Sequence, residues 1–207
     1  HDPSGDYFPD TGARFPTGKI GLGDLELNAD GTELYVANLF DRRIYRFQVP
    51  TGQLLGGFAH GASSAPWSED ARPFGLGYRD GWLYHGVVRT AMSSQDGSEL
   101  SAHVYRSRPD GSQMAEGGRL YLDYARAPAW QPWRPAPATR GGVSEPLLTD
   151  IEFREDGDLV LVDRDFVEEN PGLEESFTIT LDLNNGDYIY SSQKLADLPG
   201  NKLQKKR

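Results

Sequence analysis

The chain has 207 residues, which is enough for one domain with a hydrophobic core or for two small domains. Its net charge of −10 disfavours binding to nucleic acid or to an anionic membrane surface. The absence of cysteine excludes disulfide frameworks, zinc–thiolate sites and cysteine nucleophiles. No apolar run approaches the roughly 18 residues of a transmembrane helix, so no transmembrane segment is predicted. Few hydrophobic residues (37%) with many aromatic ones (11%), 24 glycines and 14 prolines favour a β-rich protein.

The first clear elements follow an N-terminal stretch, residues 1–20, which we interpret as an extension or as part of a closing blade. The segment Asp24–Phe47 alternates apolar and polar residues around Asp30-Gly31, which is typical of a β-hairpin. Two more strands are predicted at Ile44–Val49 and Gln53–Phe58. The result is a meander of four short strands.

Similar units recur along the chain. "RPFGLGYRDGWLYHGVV" starts at Arg72 and "LTDIEFREDGDLVLVDRD" starts at Leu148, each with its own Asp-Gly pair, and "FTITLDLNNGDYIYSS" is a weaker copy. A repeated four-stranded unit predicts an all-β fold, namely a β-propeller of four-stranded antiparallel blades over residues 21–190. At about 45 residues per blade the chain supplies four to five blades, so the propeller is partial or small. Residues 191–207 are predicted to be a polar, basic tail, and a β-sandwich is the competing fold.

Acidic and amide side chains lie at matching strand ends of these units. The predicted ligands are Asp24, Asn38, Asp150 and Asp163. Oxygen ligands gathered from several strands suit Ca²⁺, which makes calcium the predicted cofactor. The alternative is that these side chains cap backbone amides and fix the strand corners. Glu26 and Glu152 lie on the same side of their strands as the neighbouring aspartates, and either join the site or face water.

An insertion rich in proline, "RAPAWQPWRPAPA", starts at Arg126. Proline favours extended polyproline-like backbone, and the three-residue spacing of Trp130 and Trp133 puts both indoles on one side of it. Exposed aromatic side chains often form a surface for sugar or protein binding. The alternative is that both tryptophans fold back and cover a sheet edge.

Signals for a hydrolase are weak. Serine and histidine are present, but the "GxSxG" sequence that marks a serine nucleophile is not, and the four histidines lack metal-ligand spacing. His85 lies in a predicted strand, where a structural role is expected.

The order of these motifs resembles a known kind of region. "GLGDLELNADGTELYVANLFDRRIYR", "RPFGLGYRDGWLYHGVV", "SSQDGSELSAHVYR", "WQPW" and "LLTDIEFREDGDLVLVDRD" are similar to a propeller-like region of large bacterial cell-surface proteins, which often carry repeats of the serine-aspartate adhesin B type. The resemblance covers Gly21–Asp165. It implies an extracytoplasmic location, at the cell surface, secreted or periplasmic, and it supplies no catalytic residues.

The sequence thus predicts a non-catalytic extracytoplasmic β-propeller that acts as a structural or protein-interaction module of a bacterial surface or multi-subunit assembly. Its expected partners are other protein subunits or surface components. One alternative is a calcium-dependent, lactonase-like hydrolase that uses the predicted cation site. Another is a carbohydrate-binding propeller that binds glycans through Trp130 and Trp133.

Overall fold

A computed structural model describes residues 19–122, 129–135 and 145–153 with their side chains, and the strands between residues 159 and 206 by their backbone. Its strands form three antiparallel sheets. Sheet 1 contains β1 (Leu22–Leu27), β2 (Glu33–Asn38), β3 (Arg43–Gln48) and β4 (Gln53–Ala59). Sheet 2 contains β5 (Ala71–Arg79), β6 (Trp82–Arg89), β7 (Ser101–Ser107) and β8 (Ala115–Tyr121). Sheet 3 contains β9 (Pro146–Phe153), β10 (Leu159–Asp165), β11 (Glu175–Leu181), β12 (Tyr188–Lys194) and β13 (Gln204–Lys206). Two short 3-10 helices, Ser68–Asp70 and Gly97–Glu99, precede β5 and β7.

Turn chemistry explains the hairpins. Asp80 and Gly81 both have positive φ (51° and 77°) and link β5 to β6 as a two-residue turn, the conformation that Asp-Gly favours. In the longer β1–β2 loop, Asn28 Oδ1 accepts hydrogen bonds from the backbone amides of Thr32 and Glu33, each at 2.9 Å. The predicted strands of the first unit are confirmed to within one residue. The predicted turns at Asp156-Gly157 and Asn185-Gly186 lie outside the described residues.

The first strand of every sheet contains a β-bulge. The extra residue lies between Leu22 and Leu25 in β1, between Pro73 and Leu76 in β5, and between Leu148 and Asp150 in β9. Counting from these bulges, Leu25, Leu76 and Ile151 hold corresponding positions.

The core lies between the sheets. Tyr35, Ala37 and Ile44 of sheet 1 pack against Leu76 and Leu83 of sheet 2. The opposite side of sheet 2 packs on sheet 3 in a larger cluster that includes Tyr84, Val88, Val104, Leu120, Trp130, Leu148 and Ile151. A third cluster lies on the same side of sheet 2 as Leu76 and Leu83, where Ala62, Ala71, Val87 and Tyr105 are joined by Trp67. Apolar burial on both sides of sheet 2 makes it the central layer.

The all-β class is confirmed, but the β-propeller prediction is wrong. Sheets 1 and 2 are flat four-stranded antiparallel sheets, and no sheet closes or curls among the described residues. The arrangement therefore looks like a β-sandwich of stacked open sheets, which was the competing fold, and the description as a repeat propeller is wrong with it. Strand alternation and Asp-Gly turns specify each meander, but they do not specify how successive meanders are arranged.

The predicted domain limits stay a prediction, and the strand bounds lie around them as follows. β12 runs across residue 190, and β13 lies inside the stretch 191–207 that was predicted to be a tail. Residues 1–18 lie outside the described part of the chain. In the described residues, no helix has the length and apolar character needed to span a bilayer.

Candidate functional site

Asp24 joins two sheets. It lies in the bulge of β1, where its Oδ1 accepts a hydrogen bond from the Leu25 amide and its Oδ2 accepts one from the Leu76 amide, both at 2.8 Å. Leu76 belongs to β5, the edge strand of sheet 2. Edge strands carry backbone amides without a ladder partner, and a carboxylate oxygen satisfies one of them here. Both oxygens of Asp24 are thus occupied by backbone donors.

The other predicted ligands also contact backbone amides where their side chains are described. Asp150 Oδ1 accepts from the Ile151 amide at 2.8 Å, and Asn38 Oδ1 accepts from the Phe40 amide at 2.9 Å. Asp163 pairs with Leu148 in the β10–β9 ladder, and its side chain lies outside the described residues. These contacts favour the alternative interpretation, in which the side chains cap strands and corners.

Four carboxylates nevertheless lie close to β5. Burial raises the pKa of Asp24, and the negative charges of Asp150 and Glu152 raise it further. Burial, followed by Asp24 and Glu152, raises the pKa of Glu26 to about 7. Burial also raises the pKa of Asp150. Glu26 therefore changes charge near neutral pH.

These carboxylates do not form a metal cage in the described structure. Among the residues described with side chains, no group of three or more His, Asp or Glu residues is placed to hold a metal ion. Asp24 lies close enough to Asp150 to feel its negative charge, whereas Asn38 turns toward the loop after β2. The predicted calcium site stays a prediction.

Glycines in β5 make this junction possible. A Cβ at Gly75 would lie 2.7 Å from the Asp150 nitrogen, and a Cβ at Gly77 would lie 2.5 Å from the Ile151 carbonyl oxygen. Gly75 corresponds to Asp24 and Asp150, and Gly77 corresponds to Glu26 and Glu152. The central strand therefore lacks side chains at the two positions where its neighbours carry carboxylates, because the backbone of β9 occupies that space.

Both tryptophans of the proline-rich insertion are buried. Trp130 is 5% exposed and belongs to the core between sheets 2 and 3, and Trp133 is 2% exposed. Trp133 Nε1 donates to the Pro146 carbonyl at 2.9 Å, and its backbone amide donates to the Thr90 carbonyl at 3.0 Å. Neither indole offers a face for stacking on a sugar in this conformation, which favours the alternative that they cover the sheets.

The outer face of sheet 1, the side turned away from sheet 2, is apolar and largely exposed, although Val36 on it is only 6% exposed. Cross-strand pairing puts Leu22, Leu25, Leu27, Leu34, Val36, Tyr45, Phe47 and Leu54 on this face. Leu22, Leu25, Leu27 and Leu54 are 63%, 52%, 47% and 53% exposed. The corresponding faces of the other two sheets are buried, since Leu76 and Ile151 are 0% and 2% exposed. A contiguous exposed apolar surface usually marks an interaction site.

The alternation of apolar and polar residues puts Leu25 and Leu27 on one face of β1, but it does not identify that face as exposed. β2 carries apolar residues on both sides, with Leu34 and Val36 on one and Tyr35 and Ala37 on the other. A strand with this pattern is typically buried on both faces. The apolar residues on both sides of β2 are therefore the signal in the sequence. They indicate that sheet 1, the first sheet of the stack, needs another layer packed against its outer side.

A second group of polar residues, which the sequence did not predict, lies on the side of sheet 2 that Trp67 covers. Ser101 Oγ lies 2.9 Å from His103 Nε2, and His103 Nδ1 lies 3.0 Å from Glu116 Oε1. His85 lies on the same face of the sheet, where its Nε2 accepts from the Gly61 amide at 3.0 Å. Burial lowers the pKa of His85 to about 3 and also lowers that of His103, so both imidazoles are neutral at pH 7.

Comparisons with known proteins leave the family open. No protein-family model matches the chain, and no curated protein matches it significantly. A similar solved structure is that of Hsv2 from Kluyveromyces lactis, with 14% sequence identity and a TM-score of 0.33. The match covers 91% of this chain and 47% of Hsv2, so the chain spans about half the length of that protein. A TM-score this low carries no argument about fold or function.

Proposed function

We propose that the chain is a structural interaction module in which the outer face of sheet 1 binds the last sheet, sheet 3, of a second copy. The observation that carries this proposal is the exposed apolar face built around Leu25 and Leu27. The interaction role expected from the sequence is retained, but the predicted propeller fold is not. The resemblance to a region of bacterial surface proteins supports a location outside the cytoplasm.

The internal packing of the chain suggests what covers this face. Tyr35 of sheet 1 stacks on Tyr78 of sheet 2 with ring centroids 5.9 Å apart. At the corresponding positions, Tyr84 of sheet 2 contacts Phe153 of sheet 3 edge to face at 4.9 Å. The two interfaces therefore use the same pair of faces in the same direction, and each later sheet receives the tyrosine-bearing side of the earlier one.

Leu27 holds the position of Tyr78 and Phe153 in sheet 1, and it is 47% exposed. No described residue of an earlier sheet packs on it. Sheet 3, at the other end of the stack, has Glu152 and its partner Val160 at the positions of Glu26 and Tyr35. Glu152 is exposed. A head-to-tail contact between copies would thus join the outer face of sheet 1 to the side of sheet 3 that carries Glu152, which produces open-ended assemblies rather than closed dimers.

Charge opposes this association and gives a way to test it. With a net charge of −10, two copies repel each other at low ionic strength, and salt screens that repulsion. Sedimentation velocity over a concentration series should show association that increases with salt. Leu25→Glu should abolish it, because a carboxylate would be buried without a partner. Tyr121→Glu is the matched control, since Tyr121 is equally exposed (54%) but lies in sheet 2.

Mixing the Leu25→Glu variant with wild type shows which surface covers the outer face of sheet 1. The Leu25→Glu variant has an unchanged sheet 3, which should bind the outer face of one wild-type copy. Its own outer face cannot bind a further copy, so the assembly should stop growing at the variant. If two outer faces pair with each other instead, the mixture contains wild-type dimers and free variant. A wild-type chain that stays monomeric at every concentration and salt would overturn the proposal and leave a different protein, or another part of this chain, as the occupant.

A further inference from the structure

Ser101, His103 and Glu116 form a hydrogen-bonded relay whose proton positions follow from its surroundings. Although burial acts in the opposite direction, hydrogen bonds from Arg119 and His103 lower the pKa of Glu116, so this carboxyl is ionised. An ionised Glu116 can only accept, which places a proton on His103 Nδ1. Neutral His103 then has a free lone pair on Nε2, and Ser101 donates its hydroxyl proton to it.

The strands bring the three residues together in a simple way. Ser101 and His103 are two apart on β7, so they share a face of the sheet. Glu116 lies on the neighbouring strand β8, where an extra residue at Gly117 interrupts the register. This bulge turns Glu116 and Arg119 to the same side, although residues three apart on a regular strand point to opposite sides. Arg119 then holds both oxygens of Glu116, at 2.9 and 3.1 Å.

A hydrogen-bond donor without an acceptor lies across from the serine. Arg89 pairs directly with Ser101 in the β6–β7 ladder, so the two side chains share a face. Glu99 holds the end of the guanidinium group at 2.7 Å. Arg89 Nε is buried and has no hydrogen-bond partner among the described residues. A buried N–H without a partner, on the residue directly opposite the serine in the ladder, is the kind of donor that stabilises a developing oxyanion.

We infer that Ser101 is a nucleophile for acyl transfer from small esters, with His103 as its general base, Glu116 as a positioning residue and Arg89 as the oxyanion donor. This activity goes beyond the proposed assembly and does not depend on it. Ser101 is 4% exposed, and Trp67 packs over His103 with ring centroids 4.6 Å apart, so the expected substrates are esters of small acyl groups.

The reaction uses only the ester and water. Ser101 Oγ bonds to the carbonyl carbon as its proton passes to His103 Nε2, and the ester C–O bond breaks as the leaving alcohol takes that proton. Water then adds to the acyl group and gives a proton to His103. The bond to Ser101 breaks, the serine regains the proton, and a carboxylic acid leaves.

The direct test is covalent labelling of the full chain with a small fluorophosphonate, in which Ser101 bonds to phosphorus and fluoride leaves. Intact mass and peptide mapping should place one adduct on Ser101, and Ser101→Ala should abolish it. His103→Gln should slow labelling by at least about 100-fold, the usual contribution of a general base. Glu116→Gln should also slow it and shift the pH at which the rate rises.

The chain offers a matched control in Ser107. It lies on the same strand and face as Ser101, is 0% exposed, and its Oγ has no hydrogen-bond partner within the described residues. Ser107→Ala should leave labelling unchanged, and Trp67→Ala should accelerate it by opening the cover. Circular dichroism and a thermal melt establish that each variant is folded. If neither folded wild type nor folded Trp67→Ala is labelled, or if Ser101→Ala keeps the adduct, the relay is only structural and the inference fails.

Discussion

β1 and β5 are corresponding strands with different surroundings. Leu25 and Leu76 both follow the bulge, yet Leu25 is 52% exposed and Leu76 is fully buried. Next to them, Glu26 carries a carboxylate where Gly77 has no side chain. The difference shows that in this fold a strand position does not determine burial by itself. What determines it is whether another sheet lies in front.

The backbone amides of the two strands also obtain their hydrogen-bond acceptors in different ways. β5 is an edge strand, and carboxylates of β1 satisfy its outward amides at Leu76 and Tyr78. On its other side the glycines bring it against the backbone of β9. β1 is also an edge strand, and Asp24 caps the Leu25 amide from within the strand itself. The backbone amides of β5 thus depend on a neighbouring sheet for their hydrogen bonds, whereas no described sheet packs in front of β1.

The largest expected contrast is between Leu76→Ala and Leu25→Ala. Removing the fully buried Leu76 side chain should lower the free energy of unfolding by about 3 kcal/mol, through lost burial and an unfilled cavity. The same change at half-exposed Leu25 should cost less than about 1 kcal/mol in the monomer. Urea unfolding at low protein concentration measures both. Equal losses would mean that the outer face of sheet 1 is covered within the single chain.

Gly77→Ala is expected to come next. Its Cβ would lie 2.5 Å from the Ile151 carbonyl oxygen, so β5 and β9 must separate, at a cost of about 2 kcal/mol. Gly97→Ala is the control, because a Cβ there meets nothing within 4 Å and the backbone does not require glycine. Its effect should stay within about 0.5 kcal/mol. A tolerated Gly77→Ala would show that the close approach of the two strands is not needed for stability.

Local elements of the fold could be predicted from the sequence because local chemistry determines them. Alternation located β3 and β4 to within one residue, and Asp80-Gly81 forms the expected two-residue turn. Those features depend on residues close together in sequence, or on a pattern that recurs.

The remaining features depend on how sheets and distant strands meet, which no local pattern encodes. Open stacking instead of a ring depends on packing between sheets. The burial of Trp130 depends on a core built from sheets 2 and 3. The Ser101–His103–Glu116 relay depends on the bulge at Gly117, which brings in a residue of the next strand. A Ser-x-His sequence is visible in the chain, but nothing in its spacing identifies Glu116 as the third member.

The smallest expected effect is the pH dependence at Glu26, the residue that corresponds to Gly77. Its pKa is raised to about 7 in the folded chain, above its ordinary 4.5, mainly by burial. The folded state therefore holds this proton more tightly than the unfolded state. The resulting stability is fully present below the unfolded pKa and is lost as pH rises through about 7.

Glu26→Gln removes this loss, so the variant should gain stability relative to wild type as pH rises from about 5 to about 8.5. Solvent screening of this half-buried group keeps the expected gain below about 1 kcal/mol, or a few degrees in Tm. Thermal melts across that range measure it. His85, with its pKa lowered to about 3, favours the fold above its ordinary value of 6.5, but this contribution is common to both chains and cancels in the difference. A Tm difference that does not change with pH would mean that Glu26 titrates as a solvent-exposed carboxylate, and that the junction of β1 and β5 is hydrated rather than closed.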